Sequence, residues 1–170
     1  VNSCAFCGAP CRGETCQAHT DLRESHDVLA DVDTDLIVAF TVLGEPAPQG
    51  SKVKNRYGGI RESNPRTRPY RQAVATEAEI AMDGGHPLSG PIILDLCFYF
   101  SRPRGHFGSG RNSDVLKPSA PPAKTTAPDA LKLGRLAEDA MSGIVYLDDS
   151  QVIDVRARKF FGTPPRAVIT

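Results

Sequence analysis

The run Ile92-Ile93-Leu94-Asp95-Leu96-Cys97-Phe98-Tyr99-Phe100, introduced by Pro91, constrains this chain more than any other segment. It is rich in β-branched and aromatic side chains and alternates from Leu94 onward, which predicts a strand. Nine residues are too few for a helix that crosses a bilayer. A lone strand leaves its backbone groups unpaired, so this segment requires a sheet around it. Cys97, inside the run, reads as a small buried apolar residue.

The other periodic segments supply that sheet and its cover. Leu36–Val42 is a short apolar, β-branched run ended by Gly44, Pro46 and Pro48, and predicts the first strand. Pro69 opens a helix over Tyr70–Met82 that stops at Gly84-Gly85. From Asp129 to Gly143, Leu133, Leu136, Ala137, Ala140 and Met141 recur at three- and four-residue steps, with Asp129 at the N-cap position and Gly143 as the stop. Val152–Phe161 follows, with Asp154, Arg156 and Arg158 alternating against Ile153, Val155 and Ala157, and Arg166–Thr170 closes the chain. The order β-α-β-α-β-β predicts an α/β fold, a small mixed β-sheet packed with two main helices. Residues 101–128, rich in Gly, Ser and Pro, read as a long polar surface connection.

At 170 residues the chain holds one ordinary domain and a short appendage. Its apolar fraction of 40% and charged fraction of 24% exclude wholesale disorder. No run approaches a membrane span and the start has no signal-peptide pattern, so a cytoplasmic protein without a membrane partner is expected. Net charge is zero but unevenly laid out: residues 1–35 carry two basic and seven acidic side chains, and residues 36–170 carry eighteen basic and thirteen acidic. An excess of positive charge in the larger part is compatible with a nucleic-acid partner and, equally, with an ordinary solvated surface.

Four of five cysteines fall in the first sixteen residues. Cys4, Cys7, Cys16 and His19 have the spacing C-x2-C-G-x7-C-x2-H, which predicts a structural zinc knuckle, with Cys11 as an alternative ligand or a free thiol. Residues 1–30 are therefore read as a zinc-binding element with an acidic linker. Lys52, Lys54 and Arg56 begin a basic loop that runs on to Arg68 around Tyr57, Gly58 and Gly59. Such a loop is either a phosphate-contacting arm or a solvated surface.

The stretch Pro128-Asp129-Ala130-Leu131-Lys132-Leu133-Gly134-Arg135-Leu136-Ala137-Glu138-Asp139-Ala140-Met141-Ser142-Gly143, followed by Asp148-Asp149-Ser150-Gln151-Val152-Ile153, resembles the RusA family of Holliday junction resolvases. So do Gly44-Glu45-Pro46, Phe100-Ser101-Arg102-Pro103, Leu116-Lys117-Pro118 and Arg158-Lys159-Phe160-Phe161-Gly162, in order and spacing. The resemblance spans residues 36–170. It implies a homodimeric endodeoxyribonuclease of phage or prophage type that cuts branched DNA with magnesium or manganese. It further implies that Asp129, Asp148 and Asp149 are metal ligands brought together by the fold, with Lys132 beside them on the DNA.

The chain departs from the family pattern D-x-D-N with a lysine four residues after its second aspartate. Leu131 stands at the second aspartate, Lys132 at the asparagine and Arg135 at the lysine. Arg135 keeps the positive charge in a planar fork that does not deprotonate readily. Glu138, seven residues beyond Leu131 and on nearly the same helical face, is a candidate replacement carboxylate. Each acid also has a plainer reading: Asp129 as an N-cap, Asp148-Asp149 as a turn, Glu138 as solvated helix surface, and Asp139 as a member of local ion pairs. His86 and His106 have no evident partner. Three readings follow: a metal-dependent nuclease for branched DNA, a weakened member that binds junctions or flaps without efficient cleavage, or a domain directed to DNA by a partner docked on the zinc element.

Overall fold

The computed structural model describes residues 37–170 apart from 51, 55, 57 and 63, and of the first 36 residues only Asn2–Ser3 and Pro10–Cys11. The chain divides into two units, Val1–Ile37 and Val38–Thr170. In the first, β1 (Asn2–Ser3) pairs antiparallel with β2 (Pro10–Cys11). Cys4, Cys7, Cys16 and His19 lie outside the described residues.

The second unit is a two-layer α/β fold. β3 (Phe40–Leu43), β6 (Ile92–Phe100), β7 (Val152–Phe161) and β8 (Arg166–Ile169) form a mixed sheet in the order β3-β8-β6-β7. β6 and β7 run parallel, as an intervening crossover requires, while β8 is antiparallel to both β6 and β3. The helices α1 (Thr67–Met82) and α2 (Ala130–Met141) cover one face. There Leu96, Phe98 and Phe100 of β6 and Ile169 of β8 meet Val74 and Ala78 of α1 and Leu133 and Leu136 of α2 in one apolar cluster.

Several sequence-based boundaries move. The first strand begins at Phe40 rather than Leu36. The helix predicted from Tyr70 begins at Thr67, with Pro69 in its first turn, where its missing N–H costs nothing. Part of the expected basic loop is a hairpin, β4 (Lys52–Lys54) against β5 (Ile60–Glu62). The 101–128 connection is tied down by Lys117 Nζ donating to Gly105 O at 2.8 Å and Arg102 Nη1 to Pro121 O at 2.9 Å. Its His106, which had no evident partner, stands edge-on to Phe161 at 5.3 Å.

Cys97 is not in the core. Residues alternate across β6, so Cys97 shares the sheet's other face with Asp95 and Tyr99 and donates to Asp95 Oδ1 at 3.4 Å. On that face Arg158 of β7 donates to Asp95 Oδ1 at 2.6 Å, and this bond holds the guanidinium above its usual pKa. The nearly buried Asp95 carboxylate is thereby neutralised.

α2 lies close over the sheet at Gly134: a Cβ there would be in van der Waals contact, 3.4 Å from Ala157 Cβ and 3.6 Å from Leu96 Cδ1. The helix ends at Met141, two residues before Gly143, whose φ of 79° is accessible without strain only to glycine. The chain then turns through Tyr146, fully buried, whose hydroxyl donates to Glu138 O at 2.8 Å.

Candidate functional site

The polar groups singled out in the sequence gather at the two ends of α2. Asp129 is the N-cap residue, yet its side chain makes no capping hydrogen bond. It is exposed, pairs with Lys132 Nζ at 3.8 Å, and lines an open cavity of about 520 Å³ together with Glu45, Asn64, Arg66, Lys124 and Lys132. The carboxylate is therefore not consumed by the helix terminus. Just ahead of it, Lys159 Nζ donates to Thr126 O at 2.9 Å and Pro128 O at 2.8 Å. Lys124 Nζ donates to Thr126 Oγ1 at 2.9 Å and Ala127 O at 2.8 Å.

At the other end, Glu138 lies close enough to Asp149 for their charges to couple. Its carboxyl is pushed above the usual range by burial first, then by Asp149 and Asp139, with Arg135 opposing. The same neighbours, after burial, raise the Tyr146 hydroxyl. No basic residue occupies the last turn of α2, where the helix dipole presents its negative end. The arrangement concentrates negative charge where the backbone already disfavours it.

The D-D-S-Q element divides its labour. Asp148 Oδ1 accepts from Ser150 N at 2.9 Å, Gln151 Oε1 accepts from Asp148 N at 2.9 Å, and together they form a capping box over the 3-10 turn Asp149–Gln151. Ser150 holds the Asp148 carboxyl below its usual range. Gln151 Nε2 reaches on to Leu88 O at 3.1 Å and Gly90 O at 2.9 Å. Asp148 and Gln151 thus fix the turn, and Asp149 is the acid that the turn presents.

Residues 44–170 match the family model described as endodeoxyribonuclease RusA. The chain belongs to that family. It is also similar to the uncharacterized protein YqaN of Bacillus subtilis (strain 168), 29% identical over 139 residues that make up 78% of this chain and 93% of the relative. A RusA endodeoxyribonuclease domain of mixed α/β fold therefore accounts for most of the chain.

Within that family setting, the expected convergence of Asp129 with Asp148-Asp149 differs from what is seen in this chain. Asp129 and Glu138 stand nine residues apart on α2, a rise of about 13 Å, and Asp149 is at the Glu138 end. Glu138, considered as a stand-in at Leu131's position, has Asp149 and Asp139 as charged neighbours at this end. Leu131 itself is 83% exposed, on the stripe that also carries Arg135 and Glu138. Asp139 makes its ion pair at a distance in sequence: it accepts from Gln49 Nε2 at 2.7 Å and from Arg71 Nη2 at 3.5 Å, tying α2 to α1 and to the segment after β3.

Among the described residues no three His, Cys, Asp or Glu side chains group as a metal cage. Magnesium does not require one, since it keeps several waters and is commonly held by one or two carboxylates. Glu138, whose carboxyl feels the charge of Asp149, and the exposed Asp149 are carboxylates of the type that hold such an ion. Lys54 and Arg56 are exposed at the β4–β5 hairpin, and Lys132 is exposed beside Asp129. Sequence reasoning missed the roles of Gln49, Lys124 and Gln151. Their signal was available only as residue identity, because each acts through a backbone or side-chain partner remote in sequence or around a tight turn.

Proposed function

We propose that this chain is a divalent-metal-dependent endodeoxyribonuclease that cuts branched DNA, four-way junctions foremost, as a homodimer in the cytoplasm of a bacterial or phage-infected cell. The observation that carries this reading is the match of residues 44–170 to an endodeoxyribonuclease family, supported by the neighbouring charges of Glu138 and Asp149 at the C-terminal end of α2. Magnesium or manganese, when bound there, would polarise the phosphate and lower the pKa of an attacking water. Glu138 and Asp149 hold the ion, while Asp148 and Gln151 keep Asp149 presented. Arg135, one turn before Glu138, balances charge on the scissile phosphate. Asp129, in the cavity with Lys132, is a further catalytic carboxylate, and Lys52, Lys54, Arg56 and Lys132 bind the DNA backbone. Cys4, Cys7, Cys16 and His19, with Cys11 as the alternative, hold a structural zinc.

The exposed Leu131, where the family pattern has an aspartate, supports a second reading: a junction- or flap-binding protein that cuts poorly. One experiment separates the two. Purified protein is incubated with a four-way junction, a splayed duplex and a linear duplex, with and without magnesium or manganese. Metal-dependent cutting of the junction supports the nuclease. Tight junction binding without cutting in either metal would establish the binding protein instead. Elemental analysis should find close to one zinc per chain, and its absence from a carefully reduced preparation would remove the zinc element.

A further inference from the structure

Resting on the nuclease reading, we infer that Lys159, assisted by Lys124, is a positioning residue that aims Asp129. The side chain of Asp129 caps nothing, and its ion pair with Lys132 of its own helix is exposed and long, at 3.8 Å. Its orientation is inherited from the backbone just before it, residues 126–128. That backbone has two cations on it. Lys159, rooted in the long strand β7, donates to Thr126 O and Pro128 O, and Lys124 donates to Thr126 Oγ1 and Ala127 O.

Two ammonium groups on one tight loop repel each other. Lys124 is lowered in pKa by burial first and next by Lys159. Four oxygen acceptors offset that repulsion and set the geometry. Lys124 is further located by the Phe100 ring, with Nζ 4.8 Å from its centroid. Lys159 is absent from the cavity wall, where Lys124, Lys132 and Arg66 are found. Its ammonium therefore faces the loop, and its role is to join the rigid sheet to the residue that presents Asp129.

A phosphate-binding lysine and a positioning lysine fail differently. Removal of a phosphate contact weakens DNA binding and reduces the salt slope by about one. Removal of a positioning contact lowers turnover and leaves binding and its salt slope in place. The test compares wild type, Lys159→Met, Lys159→Arg, Lys124→Met and Lys54→Met in the full chain. Junction-cleavage kcat and KM, binding against salt, and hydrogen exchange across residues 125–131 are measured for each.

For Lys159→Met, kcat should fall about tenfold with KM and salt slope unchanged, and exchange across 125–131 should quicken. Lys124→Met should show a smaller effect of the same kind, and Lys159→Arg, which keeps two donors, should recover most of the turnover. Lys54→Met should instead raise KM, flatten the salt slope and leave exchange alone. A raised KM with a flatter slope and unchanged exchange in Lys159→Met would overturn the inference, as would unchanged kcat and exchange. If wild type cuts no DNA at all, the nuclease reading falls by itself. The exchange comparison then still decides whether Lys159 orders the loop.

Discussion

The two ends of α2 carry carboxylates under opposite conditions. At the N-terminal end Asp129 has Lys132 at 3.8 Å, and two more lysines fasten the loop that leads into it. At the C-terminal end Glu138 has the charge of Asp149 near it at the negative end of the helix dipole, with Arg135 opposing, while Asp139 is taken up by Gln49 and Arg71. Acids already balanced by protein cations can be aimed. Acids left mutually repelling have a vacancy for an external cation, so the C-terminal end is where a divalent metal gains most.

The largest expected effect tests that division directly. Asp149→Asn should abolish cutting, at least a hundredfold or about 3 kcal/mol of barrier, while junction binding persists. Magnesium should raise the melting temperature of wild type, and Asp149→Asn should remove that rise. Asp129→Asn should lose cutting to a similar degree yet keep the magnesium-induced rise. Equal loss of that rise in both variants would break the comparison and mean that both ends serve one metal. Asp148→Ala should instead cost about 1 kcal/mol of stability as a lost cap.

Glu138→Gln sharpens the same contrast at a smaller scale. Cutting should fall about tenfold, near 1.4 kcal/mol, and full activity with normal magnesium dependence would remove Glu138 from the site. A pH effect accompanies it. The folded pKa of Glu138 lies above its unfolded value, so the native state binds the proton more tightly. Its contribution thus favours the fold at low pH and is lost as pH rises from the ordinary glutamate range through the raised folded value. Metal-free Glu138→Gln should therefore melt slightly above wild type at neutral pH and lose part of the stability slope between those limits. A lower melting temperature there would mean that the ionised glutamate is stabilising.

Much of this fold was legible in the sequence because its signals were periodic. The β6 run and the Val152–Phe161 alternation have the bounds read from sequence, and the stripe Leu133, Leu136, Ala137, Ala140, Met141 is the buried face of α2. The β4–β5 hairpin was not legible, since the charged residues at Lys52, Lys54 and Arg61 mask strand patterning. Cys97 was misplaced because an apolar run does not reveal which face of a strand pairs with Arg158. At the candidate site the residue types were visible, but their division between two ends was not. Asp129 and Asp149 are separated by the helix itself, and Lys159 reaches its partners from 31 and 33 residues away.

The smallest prediction concerns the part of α2 that holds both ends in register with the sheet. Gly134→Ala sets two effects against each other. A glycine inside a helix is about 1 kcal/mol less favourable than alanine, so the change should stabilise. Opposing it, the new methyl would meet Ala157 Cβ at 3.4 Å and Leu96 Cδ1 at 3.6 Å. Those are van der Waals distances rather than overlaps, and Leu96 presents only the end of a flexible side chain. Helix propensity should win, with a net gain of about 0.5 kcal/mol measured by urea unfolding and cutting unchanged. Gly134→Val should reverse the sign, because its two branches have nowhere to go between Ala157 and Leu96 and α2 would lift from β7. If Gly134→Ala destabilises while keeping a folded core, the helix is seated more tightly than these distances indicate. Any accompanying loss of cutting would then show that both ends of α2 depend on one rigid seat.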